Sequence, residues 1–505
     1  MLDQLLIGFS TALLPNNLLF IFIGVLIGQV VGALPGLGPS AGMALLLPLT
    51  FGLEPVTAIM MLAGIMYGAQ YGGTLTSVLI KVPGEASGVM TAVDGNAMAR
   101  EGRAGAALAI SAIGSFIAGI GSVMAVAVLA PPLASFGLRF NAPEYFLLAL
   151  LGILAIGSLG GSPIKSLGAA LIGLMIALIG VDPLTGTPRL SFDQPILLKG
   201  IDFIPVVIGV FGVAEVLHSL ERIESVKPIK TRLRDMWLTM EDWRKCRFAI
   251  IRGGFIGLFV GIMPGAGASI ASLLAYLTER KFSTTPEMFG KGAIDGVASA
   301  EAANNSASHG AAIPMLSLGI PGSASTAILL AALILHGIRP GPQLMSQESV
   351  LVWGLIASMF VGNVFLLIMN LPMAPVFAAL LRIPYVYLAP AILGISLVGA
   401  YAATLDMATV WMSLAFGVLG YAMIKFDVPR PPLVLALVLA SLMETSLRQA
   451  LLLSFGSPMI FVERPISAIL LCAVVLTIVL PIMSAVRRRR RVGAKPAATG
   501  GNGAG

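Results

Sequence analysis

Charge is what this sequence has least of. Asp, Glu, Lys and Arg make up 11% of its 505 residues, against about 25% in soluble globular proteins. Apolar residues make up 57%. A water-facing surface cannot be built from so few charges, but a bilayer, apolar in its own core, removes the need for one. The mean hydropathy of +0.95 agrees. Cysteine is nearly absent too. Cys246 and Cys472 lie far apart in unlike surroundings, which excludes a disulfide framework. Three histidines and no Cys/His cluster argue against a structural metal site. No G-x4-G-K-[ST] occurs, so the chain shows no nucleotide site of its own. The N-terminus, Met1-Leu2-Asp3-Gln4, lacks a basic segment, so no cleaved signal peptide is expected.

What is there is glycine, 58 residues of it, which suits closely packed membrane helices. A span needs roughly 20 mostly apolar residues. Candidates lie near 18–34, 104–130, 143–160, 166–181, 203–220, 248–263, 351–371, 383–401, 407–424, 430–443 and 464–486, with an interfacial helix over 2–14. The expected fold is therefore an all-α polytopic membrane protein of about 11–12 transmembrane helices. The net charge of +7 is concentrated in two places. Residues 221–247 hold eight Lys/Arg against five acids, and the last span runs into Arg487, Arg488, Arg489, Arg490 and Arg491. Beside membrane spans, basic charge marks the cytoplasmic side. A nucleic-acid-binding tail is the less fitting reading of the arginine run. The Gly/Ala-rich end to Gly505 has no apolar pattern and is expected to be disordered. The chain thus divides into a membrane repeat over 1–220, a cytoplasmic basic loop over 221–247, a second membrane repeat over 248–486 and a cytoplasmic tail over 487–505.

The word repeat rests on spacing. Gly24, Gly28, Gly32, Pro35, Gly36, Gly38 and Ser40 recur as Gly253, Gly257, Gly261, Pro264, Gly265, Gly267 and Ser269, every pair offset by 229 positions. Gly72, Pro83, Gly84, Ala86 and Ser87 recur as Gly310, Pro321, Gly322, Ala324 and Ser325, offset by 238. Carriers are often built from two such copies, with interrupted hydrophobic segments at the substrate site. Inverted copies are expected, although spacing alone does not separate them from parallel ones.

The interrupted regions, 35–90 and 264–340, hold the candidate site. Glycines four apart share a helix face and let a partner approach. In each Pro-Gly-x-Gly segment, proline stops a helix and glycine frees the turn. Gly36, Gly38 and Ser40, with Gly265, Gly267 and Ser269, could then expose backbone N–H groups to an anion, or could form plain interhelical turns. Downstream, Thr74, Thr76, Ser77, Lys81, Pro83 and Gly84 in one copy face Asn304, Asn305, Ser306, Pro321, Gly322, Ser323 and Ser325 in the other. Neutral donors suit a carboxylate, and carbonyls and hydroxyls suit Na⁺ near Asn304, Asn305 and Ser306. Both fit re-entrant hairpins whose tips meet at the midplane. The alternative is polar glue between helices. Lys81 could neutralise an anionic substrate or merely pair with Glu85. Glu144, Lys165, Glu215 and His218 are read as snorkelling at span ends. Gly38-Pro39-Ser40-Ala41-Gly42 fits G-x-S-x-G, but a nucleophile elbow needs a strand–turn–helix setting. An intramembrane enzyme using Ser40 and a passive channel remain the alternative classes.

The segments GALPGLGPSAGMALLLPLTFGL, GIMPGAGASIASLLAYLTER, YGGTLTSVLIKVPGEASGV, DGNAMAREGRAGAALA and EAANNSASHGAAIPMLSLGIPGSASTAILL closely resemble the large membrane subunit of tripartite tricarboxylate transporters, the TctA family. The likeness runs over roughly 1–486. It implies a permease in the bacterial cytoplasmic membrane that works with a small membrane subunit of about four helices and a periplasmic solute-binding protein. It implies uptake of small organic anions, citrate and other carboxylates among them, driven by a cation gradient, often Na⁺, with no other cofactor. It gives no role to nucleic acid and no enzymatic activity.

Overall fold

The computed structural model describes residues 2–34, 38–159, 162–182, 185–221, 236–263, 267–380 and 385–493. Gly36, Gly265 and the basic residues of 222–235 lie outside them. The chain is all-α. Among the described residues the sheet is one antiparallel pair, Gly180–Val181 with Pro188–Arg189. Among the described residues, six helical stretches are long and apolar enough to cross a membrane: Pro15–Gly32, Ala86–Gly137, Phe203–Leu220, Ser349–Asn370, Met407–Lys425 and Pro431–Leu453. Shorter apolar helices, such as Pro39–Thr50 and Ala324–Leu335, stand between them. Prolines open many of the helices, including Pro15–Gly32, Pro39–Leu46, Pro55–Ile80 and Pro431–Leu453. The first turn has no acceptor for a backbone N–H, so a missing donor costs nothing there. Helix Leu2–Ala12 lies against Ser349–Leu380, with Gly8 on the Trp353 backbone and the Gln4 side chain accepting from Ser349.

The glycine trios make the same crossing twice. In helix Pro15–Gly32, Gly24, Gly28 and Gly32 sit against the carbonyls of Met61, Ile65 and Ala69 on helix Pro55–Ile80. In helix Met240–Ile262, Gly253, Gly257 and Gly261 sit against the carbonyls of Ser299, Ala303 and Ala307 on helix Ile294–Gly310. At each of these six glycines a Cβ would overlap backbone, so glycine alone permits the approach. The receiving positions differ by 238 and the glycines by 229. The two offsets thus describe one helix pair and its copy.

The receiving helices meet each other in the middle of the molecule. Tyr67 stacks on His309 with ring centroids 4.6 Å apart. The Gln70 amide donates to the Ser308 hydroxyl, and Thr74 Oγ1 donates to Glu301 at 2.8 Å. Residue numbers rise along one helix as they fall along the other, so the pair is antiparallel. Gln70 and Ser308 are themselves equivalent positions, 238 apart. Equivalent residues touch only where a two-fold axis passes between them. An axis relating antiparallel helices is perpendicular to both. The two copies therefore run in opposite directions at this crossing.

The acids read as snorkelling are buried and paired. Glu144, with no exposed surface, accepts from Arg464 Nε at 2.7 Å and Ser467 Oγ at 2.6 Å. Glu215 accepts from Arg430 at 2.8 Å. Burying a carboxylate among apolar helices demands such partners, so these residues lock helix to helix. Lys165 Nζ donates to the Phe426 carbonyl at 2.7 Å, which closes the end of helix Met407–Lys425.

Candidate functional site

Helix Pro55–Ile80 is buried from Thr57 to Leu79, and every residue of Ile294–Gly310 is buried. Neither is apolar throughout. Helices enclosed by protein on all sides can carry polar side chains that a lipid-facing helix cannot. The polar residues expected at hairpin tips sit inside these uninterrupted helices instead. The breaks come later, at Lys81–Glu85 and at Gly319–Ser323.

Around the antiparallel crossing a narrow polar pocket opens. Tyr67, Gln70 and Tyr71 line it from the first copy, and Glu301, Asn304 and Asn305 from the second. Ser115 of helix Ala104–Gly137 and Asn363 and Asn370 of helix Ser349–Leu380 complete its polar wall. Glu301 is the acidic side chain of its lining. Its carboxylate accepts from Thr74 Oγ1 at 2.8 Å and from Thr91 Oγ1. No lysine or arginine lies within 4.0 Å of it among the described residues. Asn305 Nδ2 donates to the Ser115 carbonyl at 2.6 Å and to Asn363 Oδ1 at 3.1 Å. His309 is spoken for at both nitrogens, by the Asn305 carbonyl at 2.8 Å and the Asn363 amide at 3.0 Å. Asn304 differs. Its Oδ1 is buried without a partner. Gln70 Oε1 and the Tyr67 hydroxyl are likewise buried and unpartnered.

The other candidates are distributed as follows. Ser306 donates to the Gly254 carbonyl at 2.7 Å, across the glycine crossing. Thr76 and Ser77 bond back to the Gly73 carbonyl at 2.9 and 2.8 Å. Lys81 ends helix Pro55–Ile80 in a left-handed conformation, φ 59°, and is exposed. Its expected partner Glu85 instead accepts from Ser87. Gly84 and Gly322 occupy matching wedges. A Cβ on Gly84 would lie 2.6 Å from Gly73 Cα and 2.8 Å from the Gly32 carbonyl. A Cβ on Gly322 would lie 3.0 Å from Ala311 Cα and 3.1 Å from the Gly261 carbonyl. Each pair is related by the same two offsets. Pro83 and Pro321 precede these wedges. Ser323 caps helix Ala324–Leu335 in a reciprocal box with Thr326, at 3.2 and 2.8 Å, and Ser325 is half-buried in its first turn. Gly38 and half-buried Ser40 open helix Pro39–Leu46, with Gly38 beside Glu85. Gly267, φ 63°, and exposed Ser269 open helix Gly267–Phe282.

The copies are also tied together at one end. The buried Asp94 carboxylate accepts from Tyr276 Oη at 2.7 Å and from the N–H groups of Gly290 and Gly292 at 2.8 Å each. Arg103 pairs with Asp242 at 2.7 Å. Sequence reasoning assigned neither contact. It also passed over Ser115, Asn363 and Asn370. Polar residues inside an expected apolar span are the signal that finds Asn363 and Asn370.

A many-helix membrane protein with a narrow polar pocket on an internal two-fold axis has the build of a carrier. The comparisons specify which. The model of the tripartite tricarboxylate transporter TctA family matches residues 18–435, and the chain belongs to that family. It is 44% identical over 491 residues to a protein of Agrobacterium vitis described as "Uncharacterized 52.8 kDa protein in TAR-I ttuC' 3'region", covering 97% of this chain and 98% of that one. A second Agrobacterium vitis protein, "Uncharacterized protein in TAR-II ttuC' 3'region", is 39% identical over 234 residues, 46% of this chain and 97% of that protein. No solved structure matches the chain.

Proposed function

We propose that this chain is the permease of a binding-protein-dependent secondary carrier that imports tricarboxylates or related organic carboxylates, driven by a cation gradient. The observation that carries the reading is the pocket. Its polar groups come from both copies and lie where the two meet, the position at which a change in packing of one copy against the other would open one side and close the other. The unpartnered Tyr67 hydroxyl on its wall is a donor that suits a carboxylate. A small membrane subunit of about four helices and a periplasmic solute-binding protein complete the system, and the binding protein sets which anion is delivered. A channel needs a continuous polar path, whereas these polar groups line a single narrow pocket among buried helices. No nucleophile–base–acid set converges in the pocket among the described residues, since both His309 nitrogens are engaged.

The basic stretches 221–247 and Arg487–Arg491 support a cytoplasmic location for those segments at the inner membrane. Cysteine labelling in intact cells should leave both protected, and labelling of either would reverse the orientation. The carrier reading itself is tested by uptake of labelled carboxylates into membrane vesicles. Three-component vesicles should accumulate substrate only with a cation gradient. Equal accumulation without this chain would end the reading.

A further inference from the structure

The two copies differ in length at one place. The pairs from Gly24 and Gly253 to Ser40 and Ser269 keep an offset of 229, and those from Met61 and Ser299 onward keep 238. The second copy therefore has nine more residues between Ser269 and Ser299 than the first has between Ser40 and Met61. That longer stretch supplies all three donors to the buried Asp94 carboxylate: Tyr276 Oη and the N–H groups of Gly290 and Gly292. Continued at the same offsets, Tyr276 falls on Leu47 and Asp94 on Ala332. Leu47 and Ala332 are wholly buried in one apolar cluster. The tie between the copies is thus polar at one end of the scaffold, while its counterpart positions are apolar.

Asp94 belongs to helix Val89–Met98, a ten-residue segment bounded by breaks. The Lys81–Glu85 break precedes it. After it, a wide π-type turn over Ala99–Arg103 holds Gly102 at φ 82°, where a side chain would meet nothing within 4 Å. A short helix between two such breaks can move as a unit. Thr91, three residues before Asp94 and so on the same face, donates to Glu301 of the pocket lining. One face of one short helix therefore touches both the pocket carboxylate and the second copy's longer stretch. Movement of the helix breaks both contacts together. Asp94 has no exposed surface, so loss of any of its three donors weakens the hold on a buried carboxylate.

We propose that helix Val89–Met98 is a gate at one end of the pocket and that Asp94 is its latch. While Asp94 holds Tyr276, Gly290 and Gly292, the helix shuts the pocket from that end. When these donors release the carboxylate, the helix swings out and Thr91 leaves Glu301. The latched end also carries the Arg103–Asp242 pair, and Asp242 lies in the basic stretch 221–247, so the gate faces the cytoplasm in the orientation proposed above. The latch rests on the carrier reading for its purpose. A carrier opens its two ends in turn, and a latch at one end alone makes the two openings unequal, so the protein rests with the latched end shut.

A native thiol reports the gate. Cys246 is buried in one apolar cluster with Met98, Ala99 and Ile294, at the latched end, and Cys472 is exposed. Cys472→Ser leaves Cys246 as the chain's one thiol. The full chain carrying that change is placed in lipid nanodiscs, which leave both faces open, and treated with a water-soluble maleimide. Cys246 should label slowly. Tyr276→Phe, which removes one donor and keeps the ring, should speed labelling about tenfold, and Asp94→Asn should speed it further. Ser283→Ala removes a hydrogen bond to Asp295 within the second copy and should leave the rate unchanged. If Asp94→Asn does not fold, Tyr276→Phe carries the test. An unchanged rate in Tyr276→Phe, or an equal rise in Ser283→Ala, overturns the latch and leaves Asp94 a structural staple. Exchange of labelled carboxylate by three-component vesicles separates the two claims. Exchange by a chain whose latch variants label no faster removes the latch and keeps the carrier. Faster labelling of the variants with no exchange of any carboxylate keeps the latch and counts against the carrier.

Discussion

Helix Pro55–Ile80 receives the glycines of its neighbour at Met61, Ile65 and Ala69, and helix Ile294–Gly310 receives those of its own neighbour at Ser299, Ala303 and Ala307. The backbones do the same thing, and the side chains between those contacts do not. Ala63, Met66, Tyr67, Gly68, Gln70 and Tyr71 stand where the second copy has Glu301, Asn304, Asn305, Ser306, Ser308 and His309. Close backbone approach tolerates one residue type, so duplication preserved it. The faces turned toward the axis were free to diverge, and a symmetric scaffold came to hold an asymmetric site. The carboxylate is on one side, and the hydroxyls that hold it, Thr74 and Thr91, are on the other.

If the scaffold is shared, damage to it should be equal in both copies. Gly28→Val and Gly257→Val each drive a side chain into a facing carbonyl, of Ile65 or Ala303. Each should cost about 3 kcal/mol or more and remove most folded protein, read as a monodisperse peak in detergent and as the melting temperature. One variant melting like wild type would break the equivalence.

If the axis-facing chemistry has diverged, equivalent positions should respond unequally. Asn305 donates twice, while the hydroxyl of its counterpart Tyr67 has no partner. Asn305→Ala removes the bond to the Ser115 carbonyl and leaves buried Asn363 Oδ1 without its donor, and should cost about 1–3 kcal/mol. Tyr67→Phe should leave the melting temperature within error. A large loss in Tyr67→Phe would mean the first copy's tyrosine is held as firmly as the second copy's asparagine.

A smaller contrast lies at Ser306 and Gly68. Ser306 donates to the Gly254 carbonyl, and a Cβ on Gly68 would overlap the Val25 carbonyl, the equivalent atom. Replacing Ser306→Gly makes the second copy resemble the first and should cost about 1 kcal/mol. Thermal unfolding measures it, and no change would show the hydroxyl to be idle.

These contrasts also mark what the sequence disclosed. The duplication and its glycine crossings were legible because a trio of glycines four apart repeats at a constant offset. The second offset was legible as well, but its meaning, that 61, 65 and 69 receive 24, 28 and 32, required the helices to be placed. The breaks at Pro83-Gly84 and Pro321-Gly322 could be read from residue type. The continuity of the helices before them could not, because Gln70, Thr74 and Ser77 look like loop residues until enclosure by protein is known. Glu301, an acid in an apolar stretch, was not singled out, and its partners Thr74 and Thr91 lie more than 200 positions away. Asn304, Asn305 and Ser306 read as one polar run. On a helix three consecutive residues point in three directions, so the run serves three different neighbours.

That divergence makes Asn304 the finest test. Asn305 faces the Ser115 carbonyl and Asn363, Ser306 faces the Gly254 carbonyl, and Asn304 turns an unpartnered oxygen to the pocket. A side chain kept for packing satisfies its own polar atoms, because a buried unpaired oxygen costs about 1–3 kcal/mol. Asn304 carries that cost. Removing the oxygen relieves it, and removing the rest of the side chain gives up its packing contacts. The two changes oppose each other. Asn304→Ala should therefore alter stability by no more than about 1 kcal/mol, the smallest shift of the series. Its effect belongs in transport, as a higher apparent constant for cation or carboxylate at unchanged expression. Its counterpart Met66, apolar and buried, should show the reverse when replaced by Ala, losing about 2 kcal/mol or more with constants unmoved in the molecules that survive. Measuring both melting and uptake for the pair decides the matter. If Asn304→Ala melts early and transports with normal constants, the asparagine is glue and the second copy's face differs from the first only in how it packs.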